Sequence, residues 1–521
     1  MIRDLVLRGT SLVGLSALVS LSGIAHAGEW RITPRAEIRQ GFTDNVFLTE
    51  RNRKSDFFTT LSPGIGVTGE GGRVKLSFDY SLNYDAYLRE DSINGFRQNL
   101  IGTGTAELLQ NNLFVDVGAF AGQSPGLARG QVSAVERRLP GNNTTQTYSY
   151  NVSPYWRSRF GSWASTEARY RFTQVFSRSN SSQSVNNANT VSDSNVHQVS
   201  GSVTSGENFN RLRWRLGTDN VETRRADDNN STVQSIDGSS ATLRRNTVDF
   251  QPSYVVNRWL SLLGTVGYER IESGNTARDL SGEFWNTGFR LTPSERTSFE
   301  LTYGKRYNGD NWASSFSTAS DSGTSVSFSY REAVENQALQ AANGLAFLTT
   351  DPVTGTVIDA RTGRPFTGRD PNFDQSDSTF LTRSFVLSVR LPRERDSYFA
   401  TAQRTIRDSD INGVSAGSGR SDTTTGGTLG WEHKLTPSAT SVATLSYTDV
   451  RTDSGSSTVP DGTNKTLSAQ VNLNYDLNET LKATVGYAHI RRDVTGPQFF
   501  SNEFVGNYSE NVLFVTLRKT F

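Results

Sequence analysis

The residue types that usually do chemistry are sparse in this chain and poorly spaced for it. Of its four histidines, His26 falls in an apolar leader, while His197, His433 and His489 fall in separate segments. None has the HxH or HExxH spacing that gathers metal ligands. No cysteine is present, which removes disulfides and thiol-based metal or redox centres. No phosphate-cradling or dinucleotide glycine motif sits between a strand and a helix. Serine and aspartate are so abundant that nearness to a histidine in sequence carries no meaning. The expectation is therefore a non-enzyme with no cofactor and no metal.

What does recur is arginine at even spacings: Arg31, Arg35 and Arg39; Arg157 and Arg159; Arg169 and Arg171; Arg211, Arg213 and Arg215. Acids follow the same period, at Glu37, Asp79, Asp85, Glu107, Asp116, Glu167, Asp249 and Glu300. In an extended strand, residues two apart share a face. A wall of this kind either stiffens itself with cross-strand ion pairs or offers cations to anionic solutes such as acidic sugars. The candidates for solute contact are Arg35, Arg39, Arg157, Arg171, Arg213 and Arg215.

The elements that must position these residues are strands. From Trp30 onward the dominant period is two. Val74, Leu76, Phe78, Tyr80, Leu82 and Tyr84 oppose Lys75, Ser77, Asp79, Ser81, Asn83 and Asp85. The same alternation returns around Tyr150–Trp156, Ala168–Phe172, Leu212–Leu216, Val248–Tyr254, Leu467–Tyr475 and Ala483–Tyr487. About 22 such segments are legible, an even number in the range of single-chain membrane barrels; the count is blurred over the serine-rich 308–332. A mean hydropathy of −0.50 does not oppose a membrane location, because only every second strand residue must meet lipid. Formal charge is +1, so no global field points to nucleic acid.

The links sort into two kinds. Short ones fall at 69–72, 110–112, 161–163, 207–210, 256–258, 292–295, 436–438 and 478–480. Longer polar ones fall at 43–56, 123–145, 177–193, 224–241, 332–378, 408–420, 451–464 and 493–508. Barrels of the bacterial outer membrane alternate in this way, with short periplasmic turns and long extracellular loops. Residues 28–521 are thus expected to form one transmembrane antiparallel up-and-down β-barrel in the outer membrane of a Gram-negative bacterium, its apolar face on lipid and its arginine face in the lumen. Trp30, Trp156, Trp214, Trp259, Tyr254 and Tyr487 suit the interfacial girdles. His433 and His489 belong to the outward face. Strand character from Trp30 leaves no room for an N-terminal plug domain. The candidate obstruction is 332–378, folded inward as a constriction or outward as a cap.

The first 27 residues read as a secretory signal peptide: Arg3 and Arg8, an apolar run from Leu12 to Ile24, and a small-x-small site at Ala25-His26-Ala27. At the other end Leu513, Val515, Leu517 and Phe521 alternate up to a terminal aromatic. That ending resembles the barrel-assembly signal of outer-membrane proteins, with Lys519 departing from it, and implies recognition of Phe521 by the barrel-assembly machinery.

Several stretches resemble outer-membrane proteins associated with PEP-CTERM/exosortase systems, within a broader β-barrel porin-like family. They are Gly41-Phe42-Thr43-Asp44-Asn45, Leu61-Ser62-Pro63-Gly64-Ile65, the run from Leu108 to Asp116, Leu291-Thr292-Pro293-Ser294-Glu295-Arg296-Thr297, Tyr303-Gly304-Lys305-Arg306-Tyr307 and Ser329-Tyr330-Arg331-Glu332. The resemblance implies a porin-like barrel working beside exopolysaccharide export or surface-polymer assembly, with polysaccharide export components as partners. It carries over no catalytic residue. The rival expectations are a general passive-diffusion porin and a non-conducting structural or adhesion barrel.

Overall fold

The computed structural model describes residues 28–125, 131–139, 144–179, 193–225, 243–273, 280–350, 357–359, 364–366, 379–408, 421–453, 461–495 and 506–521. The expected leader lies outside the described residues.

The chain runs through β1 (Gly28–Thr43), β2 (Asp56–Gly71), β3 (Val74–Tyr87), β4 (Gly95–Leu109), β5 (Leu113–Pro125), β6 (Thr144–Phe160), β7 (Ala164–Ser179) and β8 (Ser194–Ser205). It continues with β9 (Leu212–Arg225), β10 (Leu243–Val255), β11 (Leu260–Ser273), β12 (Gly282–Ser294), β13 (Thr297–Arg306), β14 (Gly309–Ala319) and β15 (Ser325–Glu335). A helix α1 (Gln337–Leu345) and three short strands, β16 (Leu348–Thr350), β17 (Val357–Asp359) and β18 (Arg364–Pro365), interrupt the series. The wall resumes with β19 (Phe380–Pro392), β20 (Asp396–Asp408), β21 (Ser421–Thr436), β22 (Ala439–Asp453), β23 (Gly462–Asp476), β24 (Leu481–Thr495) and β25 (Tyr508–Thr520).

All but β16–β18 join one 22-stranded antiparallel sheet. It closes where β1 pairs with β25, from Arg35 opposite Thr520 to Thr43 opposite Val512. Closure removes the free sheet edges, whose unpaired amides and carbonyls would cost several kcal/mol each in hydrocarbon. The expected all-β barrel of 22 strands is therefore the observed architecture.

Register makes the two faces unambiguous. Trp30, Ile32 and Ile38 of β1 are exposed, as are Leu61, Val117, Val152, Leu216, Val266, Leu445, Val471 and Val515. Together they form the apolar exterior of a membrane-spanning barrel. The alternate positions, Arg35 and Arg39 among them, face the lumen and are partly buried. In places a lumen-facing ring lies across a glycine of the next strand. A Cβ on Gly486 would stand 2.2 Å from the Phe514 ring, so that crossing requires a residue without one.

One outer connection departs from the expected pattern of long outer loops. β13 and β14 are joined at the outer end by Tyr307 and Asn308 alone, with φ of 56° and 58°. Two left-handed residues form the tight hairpin turn that suits strand twist. Tyr307 tolerates this unusual backbone inside an apolar cluster with Val334 and Leu339. The blurred stretch 308–332 resolves into β14, the turn 320–324 and most of β15.

Candidate functional site

The site is the lumen, and among the described residues two outer loops send segments into it, with Val46 and Leu48 of the β1–β2 connection packed against the first. The first runs from Gln131 to Leu139, between β5 and β6. It belongs to the long polar outer link expected at 123–145, and its described part packs inward. Arg137 and Glu510 of β25 form an ion pair at 2.8 Å with both side chains fully buried. Arg137 also donates to the Tyr87 hydroxyl at 3.0 Å and to the Val46 carbonyl at 3.2 Å. Glu510 accepts in addition from Thr43, from the Ser133 hydroxyl and from the Ala134 amide. Burial opposes the charge on Arg137, but Glu510 and Tyr87 outweigh it and hold its pKa above the ordinary arginine value. The Asp85 carboxylate accepts from the Arg138 amide at 2.9 Å and from Arg97 at 2.6 Å. Beneath these bonds Val46, Phe58, Tyr87, Ile93, Val512 and Phe514 form an apolar floor that Ala134 and Val135 cover.

The second segment follows β15. Asn336 is extended and caps α1, its side-chain oxygen accepting from the Leu339 amide at 2.9 Å while its nitrogen donates to Thr223 of β9 at 2.8 Å. This is the side-chain cap that starts a helix. Leu339 and Ala342 bury against Val196, Val221, Leu243 and Ile271, all lumen-facing residues of β8–β11. The helix packs on β5–β8. In a ring of 22 strands these lie seven to ten places from β15, so the segment reaches across the lumen. At its far end Phe366 meets Phe120 of β5 edge-on at 4.9 Å. The described part of 332–378 thus folds inward, and its remainder lies outside the described residues.

The expected lumen arginines all take the inward register, but they do not gather into one site. Arg35 grips Asp79 with two bonds of 2.5 Å. Arg157 meets Glu167 at 2.9 Å, and Arg169 joins Glu167 to Asp116. Arg215 lies 3.4 Å from Asp249. Arg39 approaches Glu37 at 3.4 Å and the Phe514 ring at 5.5 Å, and Arg171 donates to Gln198 at 3.2 Å. Arg213 is exposed and has no ion pair among the described residues. Sequence reading named Arg215 and Arg213 beside Arg35 and Arg39, yet β9 and β1 stand eight strands apart. It missed Arg137 and Glu510. The signal available was the loss of alternation in Asn511-Val512-Leu513-Phe514-Val515, since apolar residues on both faces mark a strand covered on its inner side too.

Among the described residues, two cavities lie between the segments and the wall. One of about 970 Å³ lies toward the inner end below Leu345 to Leu348, with Arg31, Asp116, Glu167, Arg169 and Arg171 around it. The other, of about 530 Å³, lies beneath 131–139, lined by Gln470, Asn472, Phe514 and Thr516 and by the charged Glu37, Arg39, Arg97, Glu136 and Arg137. The three described histidines stay outside the lumen: His433 contacts Asp396 at 2.8 Å, His489 contacts Asn511, and His197 contacts the Tyr170 hydroxyl. Among the described residues no three histidine or acidic side chains gather in a metal-holding group.

No protein-family model matches this sequence, and no curated protein does. Solved structures do match in fold. The FrpB iron transporter from Neisseria meningitidis is 12% identical, with a TM-score of 0.50 over 94% of this chain and 81% of that one. The siderophore receptor PirA from Acinetobacter baumannii is 10% identical, with a TM-score of 0.49 over 94% and 80%. At such identity the likeness concerns the fold alone. Closed register, apolar exterior and wet interior define the chain as a β-barrel of outer-membrane type.

Proposed function

We propose that this chain is a constricted, porin-like passage across the outer membrane that serves exopolysaccharide export or surface-polymer assembly. One observation carries the reading: the lumen is lined by polar and ion-paired groups, yet its outer half is narrowed from within by 131–139 and α1. A wet wall suits polar cargo, while internal obstruction argues against general diffusion of small solutes. The resemblance to barrels of PEP-CTERM/exosortase systems points the same way. In this reading Phe521 engages the assembly machinery, export components are the partners, and the barrel conducts its cargo without transforming it.

The experiment has two arms. Purified protein in a planar bilayer should give small, substrate-sensitive conductance steps, and deletion of the gene should lower secreted polysaccharide. Large steps with unchanged polysaccharide would identify a general porin. The same obstruction also favours a second reading, a non-conducting scaffold, for which the bilayer trace would stay silent.

A further inference from the structure

The lumen wall has two unlike halves. From β1 to β13 its inward face carries charge at mid-depth, in pairs such as Arg35–Asp79, Arg169–Asp116 and Arg215–Asp249. From β14 to β24 inward charge lies mostly toward the ends of the strands, Arg331 of β15 being an exception. Elsewhere the inward positions are chiefly hydroxyls, amides and small residues, interrupted by Val386, Phe399, Val442 and Val450. One hydrogen-bonded row shows it: Thr401 stands opposite Thr428, Thr428 opposite Ser446, and Ser446 opposite Ser468. The next inward positions on β23 are Gln470 and Asn472, the latter accepting from the former at 3.1 Å.

The difference matters for what each half can hold. Arginine only donates hydrogen bonds and carboxylates only accept them, whereas amides and hydroxyls do both. The charged half has largely satisfied itself with internal pairs. The uncharged half presents mixed donors and acceptors, as the hydroxyls of a sugar do, and imposes no cost of desolvating an ion. Its β23 and β24 edge lines one side of the smaller cavity through Gln470, Asn472 and Thr484, continued by Phe514 and Thr516 of β25. The charged groups of the remaining lining, Glu37, Arg39, Arg97, Glu136 and Arg137, are held in ion pairs. The cavity volume, about 530 Å³, lies in the ordinary range of small-ligand sites.

From this we infer that the β23–β25 side of the smaller cavity binds an uncharged glycan segment, and that the cargo is neutral where it passes there. The inference rests on the passage reading above and specifies its substrate class. It runs against the anionic preference that the arginine spacing suggests.

Full-length protein in detergent is titrated by calorimetry with two linear hexasaccharides, neutral isomaltohexaose and anionic hexagalacturonate. The neutral probe should bind about ten-fold more tightly or better. Gln470→Ala combined with Asn472→Ala should weaken it by about ten-fold, the effect of losing two modest hydrogen bonds. The isosteric Asn472→Asp, which adds charge without bulk, should weaken it too. Val471→Ala, one residue along on the lipid face, should leave it unchanged. Equal or tighter binding of hexagalacturonate, no binding of the neutral probe, or indifference to both cavity variants overturns the inference. Conductance of the same preparation separates the two ideas: a conducting barrel that ignores isomaltohexaose sinks only the substrate class, and a silent one that binds it sinks only the passage.

Discussion

The two segments that enter the lumen are held by opposite physics. Residues 131–139 are locked by polar bonds: Arg137 to Glu510 and Tyr87 in a dry pocket, and the Arg138 amide to Asp85. The 336–345 segment is sealed chiefly by burial of Leu339, Ala342 and Leu345, oriented by the Asn336 cap and by Gln340, which accepts from Arg407 at 2.6 Å. A polar lock is unforgiving, because removing one member leaves a buried charge without its partner. An apolar seal is graded, since each methylene contributes separately. The first segment therefore behaves as part of the wall and the second as a detachable obstruction.

Breaking the lock should have the largest effect. Glu510→Ala strands Arg137 and should destabilise the outer end by about 3–5 kcal/mol, read as earlier thermal unfolding and as new protease cleavage within 131–139. Replacing both partners, Arg137→Met with Glu510→Leu, should recover most of that loss, because a well-packed apolar pair often equals a buried ion pair. If the double variant is as unstable as the single one, the lock is not the reason the segment stays inside.

Loosening the seal comes next. Leu339→Ala should cost the docking of α1 about 2–5 kcal/mol and raise bilayer conductance while the barrel's own unfolding temperature holds. Asn336→Ala should do the same to a lesser degree, about 1–2 kcal/mol, because it removes a helix cap and a buried bond to Thr223. Conductance that rises after Glu510→Ala but not after Leu339→Ala would reverse the assignment of fixed and detachable parts.

The smallest effect belongs to the wall itself. Arg35 pairs with an Asp79 side chain that is 49% exposed, so Arg35→Gln should cost about 1 kcal/mol or less. It frees a mid-lumen carboxylate, however, and the reversal potential under a salt gradient should move toward cation preference.

The barrel was legible in the sequence because its two demands, an apolar exterior and closed strand pairing, act on every second residue and so leave a long-range pattern. Val74 to Asp85 shows both faces without help from any other segment. The inward register of Arg35, Arg157 and Arg215 was legible on the same ground. Their partners were not, because Asp79, Glu167 and Asp249 are brought alongside by register that alternation alone does not set. Arg137 was hidden for a different reason. It sits in a connection with no period, and its partner Glu510 lies 373 residues away. The tight Tyr307-Asn308 turn was equally obscure, since neither residue is a glycine that would have marked left-handed backbone.

Everything proposed about passage depends on the 336–345 segment lying inside the barrel against β9. The chain has no native cysteine, so Asn336→Cys with Thr223→Cys places two thiols where the native side chains meet at 2.8 Å. In intact outer membranes a mild oxidant should join them rapidly, giving a band shift on gels that reductant reverses and a conductance that no longer rises when Leu339→Ala is added. Failure of the pair to cross-link in a folded barrel would place the segment elsewhere and contradict the account.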